Sequence, residues 1–151
     1  MINRIGKDEA HRSWHKYFIW ADTMRLQLDR ILLRKRRTTR DTLKLVMYRS
    51  LWYGMLYAVI EGIKRLNIKD SRINRLLKSR NTYLLEGFRH SVLHYQTEYH
   101  EERFVNFLNK KSTDRWVRRL HFEIGRYFIP QKFAVNKFRD LVDIRNLHDV
   151  R

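Results

Sequence analysis

One proline and five glycines among 151 residues constrain this chain more than any other feature. The tight turns of an all-β fold draw on those two residue types, whereas long stretches without them are free to be helical. The apolar residues then repeat at the helical period. Trp14, Phe18, Ala21, Met24, Leu28, Ile31 and Leu32 recur at three- and four-residue steps, which places them on one face of a helix running from about Ala10 to Lys35. The basic run Arg34-Lys35-Arg36-Arg37 follows, and Thr38 or Thr39 is a candidate N-cap for a second helix.

That second helix extends to about Leu66 through Leu43, Val46, Met47, Ser50, Leu51, Tyr57, Ile60 and Ile63. Its second half is apolar nearly all round, as expected of the central helix of a bundle. Gly54 and Gly62 within it mark close contacts or a loss of helix stability. Asn67 marks the exit, and Asp70 or Ser71 can cap a short third helix carrying Ile73, Leu76 and Leu77. A fourth helix starts near Asn81 or Thr82, with Leu84, Leu85, Phe88 and Val92 for the core. It either breaks near Gln96 or runs on through Glu98 to Phe104 and Phe107. Ser112 is the expected cap of a later helix with Trp116, Leu120, Ile124 and Tyr127, closed by Pro130. The tail, residues 131–151, repeats the amphipathic spacing with Ala134, Phe138, Leu141 and Val142. No linker or internal repeat divides the chain. The expected architecture is a single all-α domain over residues 1–151, a bundle of about five to seven helices.

Charge sets the expected partner. Thirty-three Lys and Arg against 16 Asp and Glu give a net charge of +17, a field that concentrates polyanions and speeds their encounter. RNA or another nucleic acid is the expected partner; an anionic membrane surface or an acidic protein is the alternative. The densest basic cluster is Arg30, Arg34, Lys35, Arg36, Arg37 and Arg40, and a second comprises Arg115, Arg118, Arg119 and Arg126. Contacts of this kind position a nucleic acid without reading its sequence. The N-terminus lacks the apolar core of a signal peptide. The longest apolar stretch, Leu51 to Ile63, is interrupted by Glu61 and falls short of the roughly 20 residues of a membrane span. No membrane insertion and a cytoplasmic setting are therefore expected. The absence of cysteine excludes disulfides, thiolate metal sites and a cysteine nucleophile.

The most informative stretch runs from Leu84 to Tyr95, Leu-Leu-Glu-Gly-Phe-Arg-His-Ser-Val-Leu-His-Tyr. Arg89 and His94 enclose four residues, and polar His90 directly follows the arginine. This resembles the R-x(4–6)-H motif of the HEPN family, which sits on a late helix of a four- or five-helix bundle after two long helices. The likeness covers about residues 14–128 and leaves the tail outside it. Arg145 and His148 form a near-match whose spacing is too short for that pattern.

The resemblance implies a metal-independent endoribonuclease without a cofactor, working as a homodimer. It also implies a toxin or defence role, with a neutralising antitoxin as a partner. The side chains suit the chemistry. Imidazole can take a proton from a ribose 2′-hydroxyl near neutral pH, and guanidinium matches the phosphoryl oxygens and stays charged. His94 would then be the general base or acid, Arg89 the phosphate-binding cation, His90 a supporting polar group, and Glu86 the group that orients Arg89. Residues five apart on a helix differ by roughly 140° about its axis, so Arg89 and His94 do not share a narrow face. Motifs from two protomers facing one cleft, as the resemblance implies, resolve this.

Two other readings of the same residues stand beside it. Arg89 pairing with Glu86 while His94 caps the core would give a binding module without catalysis. Glu86, His90, His94 and Glu98 also recur every four residues, a spacing able to hold a transition metal on one helical face. The chain contains no Glu-x-x-His pair of the kind that builds bundle di-metal sites, so no metal is assigned. Asp8-Glu9-Ala10-His11 spells a helicase box without the phosphate loop that would accompany it.

Overall fold

The computed structural model describes residues 4–130 as six helices: α1 (Arg4–Leu32), α2 (Thr39–Arg65), α3 (Ser71–Leu77), α4 (Arg80–Leu93), α5 (Glu102–Asn109) and α6 (Lys111–Phe128). Among the described residues there is no strand, and the protein is an all-α bundle. The expected amphipathic tail, including Ala134, Phe138, Leu141 and Val142, lies outside the described residues.

Side-chain caps set several helix ends. The Thr38 hydroxyl accepts the Asp41 N–H at 3.1 Å while the Asp41 carboxylate accepts the Thr38 N–H at 3.0 Å, a reciprocal capping box at the start of α2. At its other end Asn67 adopts φ 52°. The N–H groups of Asn67 and Ile68 then bond back to the carbonyls of Lys64 and Ile63 at 3.2 and 3.1 Å. This is a Schellman closure with asparagine in the left-handed position. Asp70 accepts the N–H groups of Arg72 and Ile73, both at 3.0 Å, and Ser79 caps α4.

Two expectations are corrected, and of the two courses open to the fourth helix the break near Gln96 is the one observed. Helix α1 begins at Arg4 rather than Ala10 and stops at Leu32 rather than Lys35. Its first turns expose Lys7, Asp8 and Glu9, so they carry no packed face for periodicity to detect, and Arg34 leaves the helix to pair with Asp41. Helix α4 ends at Leu93, because His94 turns to extended backbone (φ −118°, ψ 138°), and Phe104 and Phe107 belong to a separate helix. Ser112 is not a cap: α6 starts at Lys111 directly after Lys110, which offers it no side-chain bond.

Helix α2 is the centre of the bundle. Trp52, Tyr53, Leu56, Tyr57, Val59, Ile60 and Ile63 are buried along its second half, between α1 on one side and α4 on the other. Helix α1 contributes Trp14, Phe18, Ala21, Leu28 and Ile31, and α6 contributes Trp116, Val117, Leu120, Ile124 and Phe128. All three buried indoles have a partner for their N–H, as buried tryptophan requires. Trp14 donates to the Val59 carbonyl at 2.9 Å, Trp116 to the Leu76 carbonyl at 3.1 Å and Trp52 to His121 at 3.1 Å.

Candidate functional site

The residues of the R-x(4)-H stretch occupy the last turns of α4 and the connection that follows. Phe88 and Leu85 turn into the core, which leaves the intervening positions at the surface. Arg89 is 38% exposed, and its guanidinium lies 3.4 Å from the Glu61 carboxylate on α2 and 5.5 Å over the ring of Tyr57. Glu86 makes no ion pair with Arg89; its carboxylate acts on the Tyr57 hydroxyl instead. Burial, then Glu86, push the phenol up to about 12. The expected local pair is thus replaced by Glu61, 28 positions earlier in the chain.

His90 and His94 are both exposed. Their rings meet at 4.5 Å between centroids, and the His94 N–H bonds to the His90 carbonyl at 3.1 Å. The structure therefore brings the two imidazoles together. It sets Arg89 apart from them: Arg89 lines a cleft of about 440 Å³ between α1, α2 and α4 with Glu61 and Arg65. His90 lines another of about 690 Å³ between α4 and α5 with Tyr83, Glu86 and Arg103. His94 is exposed rather than a cap on the core.

Because α4 stops at Leu93, Glu98 is not on its face and the four-residue Glu86–His90–His94–Glu98 ladder does not form. Among the described residues no three His, Asp or Glu side chains are grouped to hold a metal ion.

The connection after α4 carries Tyr95 and Tyr99, 91% and 88% exposed, beside His94 and His100. Sequence spacing alone did not separate these tyrosines from core aromatics, although both fall outside the helical apolar pattern. Glu101 anchors the far end of the connection. Its carboxylate accepts the Ser91 hydroxyl at 2.7 Å and the Phe104 N–H at 2.9 Å. Burial would raise this carboxyl, but Arg103, Ser91 and the Phe104 amide hold it down at about 2.

The two basic clusters fare differently. Lys35, Arg36, Arg37 and Arg40 are exposed in the α1–α2 corner or at the start of α2, and Arg30 is exposed on the last turn of α1. Arg34 is half-committed, paired with Asp41. On α6, by contrast, three of the four arginines serve the fold. Arg118 bridges Asp29 and Asp114, both at 3.1 Å. Arg126 pairs with Asp70 at 2.7 Å and with buried Glu123 at 2.6 Å, and Arg119 lies 2.9 Å from the same Glu123. Only Arg115 of that group has no ion pair among the described residues.

No helix of the described residues is long and apolar enough to cross a membrane. The chain matches no protein-family model, no curated protein and no solved structure.

Proposed function

We propose that the protein binds RNA through its basic surface and cleaves it without a metal ion, in the manner implied by its resemblance to HEPN ribonucleases. The observation that carries this reading is the pair of exposed, contacting imidazoles His90 and His94 at the end of the helix that also bears Arg89. In such a reaction one neutral imidazole takes the proton of a ribose 2′-hydroxyl. The resulting oxygen attacks the adjacent phosphorus, the bond from phosphorus to the 5′-oxygen breaks, and that oxygen receives a proton from an imidazolium. The products are a 2′,3′-cyclic phosphate and a 5′-hydroxyl. His94 is the residue assigned to proton transfer, with His90 supporting it, and Arg89 supplies the cation for the phosphoryl oxygens.

Arg89 and His90 line separate clefts within one chain, so this assignment requires two copies to bring an arginine of one to the histidines of the other. A homodimer, a cytoplasmic setting, a toxin or defence role and an antitoxin partner belong to the same proposal. A second reading has an observation in its favour: Glu61 and Tyr57 already occupy Arg89, which suits an RNA-binding module without catalysis.

The separating experiment is RNA cleavage in EDTA by the wild type, Arg89→Ala, His94→Ala and His90→Ala. Cleavage that survives EDTA and falls about 10²- to 10⁴-fold in the first two variants supports the nuclease, with His90→Ala between. RNA binding without turnover in the wild type leaves the module. A monomer by light scattering at all concentrations defeats the composite site.

A further inference from the structure

Four cations converge on one cavity with no free acid to balance them. Arg49 reaches it from α2, Lys110 from the α5–α6 junction, and Lys111 and Arg115 from the first turns of α6, around a volume of about 460 Å³. The carboxylate on its wall, Asp114, is already bonded to the Tyr53 hydroxyl at 2.7 Å and to Arg118 at 3.1 Å. Among the described residues none of the four cations makes an ion pair. Two further features point the same way. The Arg49 Nε is buried with no acceptor, and buried donors are ordinarily matched. The 18-residue helix α6 begins here with no side-chain cap, so the positive end of its dipole opens on the same cluster.

We propose that this cavity seats a backbone phosphate of a bound single-stranded RNA, which then continues into the cleft between α4 and α5. The inference rests on the RNA-binding reading above and names the form of RNA and its path. Continuity is the reason for the path: Asn109 and Lys110 line both this cavity and the α4–α5 cleft. That cleft is walled by His90 and by Tyr83, a residue 73% exposed that offers a stacking surface to an unpaired base. Alternation of a cationic seat with an exposed aromatic ring is the pattern that holds single strands without regard to sequence. A duplex keeps its bases stacked on one another and gains only the interaction with phosphate.

The test compares the salt dependence of binding of a short single-stranded RNA to the wild type, K110Q/K111Q/R115Q and a charge-matched control, K69Q/R75Q/K78Q, altered at exposed positions on and beside α3. The cavity variant is expected to bind on the order of tenfold more weakly, with a salt slope shallower by about 0.7 for each phosphate no longer neutralised. The control stays near the wild type, and duplex RNA, which cannot stack a base on Tyr83, binds the wild type more weakly than the single strand does. Equal losses in the two triple variants overturn the seat while leaving RNA binding intact. Competition by polyaspartate as effective as by RNA assigns the cavity to an acidic protein segment and likewise overturns it. A wild type that binds no RNA at low salt defeats the underlying reading itself. If the triple variant fails to fold by circular dichroism, R115Q alone, at an exposed side chain, must still flatten the slope.

Discussion

Trp52 donates its indole N–H to Nδ1 of His121 at 3.1 Å, and this single bond settles the state of a buried histidine. Nδ1 must be the acceptor, so the ring proton lies on Nε2, which faces Asp22 at 2.9 Å. A doubly protonated ring would set two N–H groups against each other. Burial is the main cause that holds His121 below the usual histidine range, opposed by Asp22.

The consequence is a pH dependence of definite sign. His121 is neutral in the fold, while in the unfolded chain it takes a proton below about 6.5. Stability is therefore unaffected by this group at higher pH and lost as pH falls through that range. His15, also lowered by burial, adds the same sign. The thermal midpoint is expected to drop between about pH 7.5 and pH 5.5, and His121→Gln should remove a large part of the drop. Asp22, lowered by its bond to His121, enters only under stronger acid.

Two glycines of α2 are expected to respond oppositely to alanine. A β-carbon at Gly62 would stand 2.3 Å from Trp14 Cδ1, whereas one at Gly54 meets nothing closer than 4.0 Å. Gly62→Ala must displace a buried indole that is bonded to the Val59 carbonyl, and should cost about 1–3 kcal/mol. Gly54→Ala should gain up to about 1 kcal/mol from helix propensity. Urea unfolding of both variants checks the contrast.

Glu123 is 1% exposed and faces Arg126 at 2.6 Å, Arg119 at 2.9 Å and Arg72 at 3.9 Å. The arginines reach water and screen part of the interaction. Glu123→Gln is therefore expected to destabilise by about 1–3 kcal/mol rather than by the larger cost of a fully enclosed pair. Unfolding of α6 together with the rest of the protein, seen as one transition by circular dichroism, would mark Glu123 as a link between helices rather than a local cap.

The two basic clusters should separate in one experiment. K35Q/R36Q/R37Q is expected to weaken RNA binding and flatten its salt dependence at unchanged stability, because these side chains make no ion pair among the described residues. Arg118→Gln and Arg126→Gln should lower the unfolding temperature. Equal stability losses in the two sets would overturn the distinction.

The helices legible in the sequence were those whose ends carry local chemistry. Thr38 with Asp41, Asn67 and Asp70 each act on groups within five residues, so their roles can be read from neighbours alone. The end of α4 could not be read in this way, because the Ser91–Glu101 bond that ties it to α5 spans a turn whose course is not local. The same holds at the site. Arg89 and His94 stand out by spacing, but Glu61, the acid that holds Arg89, comes from another helix. The α6 arginines look like a nucleic-acid surface until Asp29 and Asp70 arrive from distant parts of the chain. Arg49 and Lys110, 61 positions apart, carry no shared signal at all.

The capping box between α1 and α2 also has a temporal meaning. The two longest helices are neighbours in the chain, and the corner that joins them closes through interactions a few residues apart, so their hairpin can form early and with little loop to organise. Helix α6 is different: His121 meets Asp22 across 99 positions and Arg118 meets Asp29 across 89. Its docking is the slow, late event. Substitutions at Thr38 or Asp41 are therefore expected to slow folding, and those at His121 or Arg118 to hasten unfolding, in stopped-flow traces. During synthesis the hairpin emerges first and exposes the α1–α2 seam, the surface that α6 later covers, for as long as the ribosome takes to complete α6.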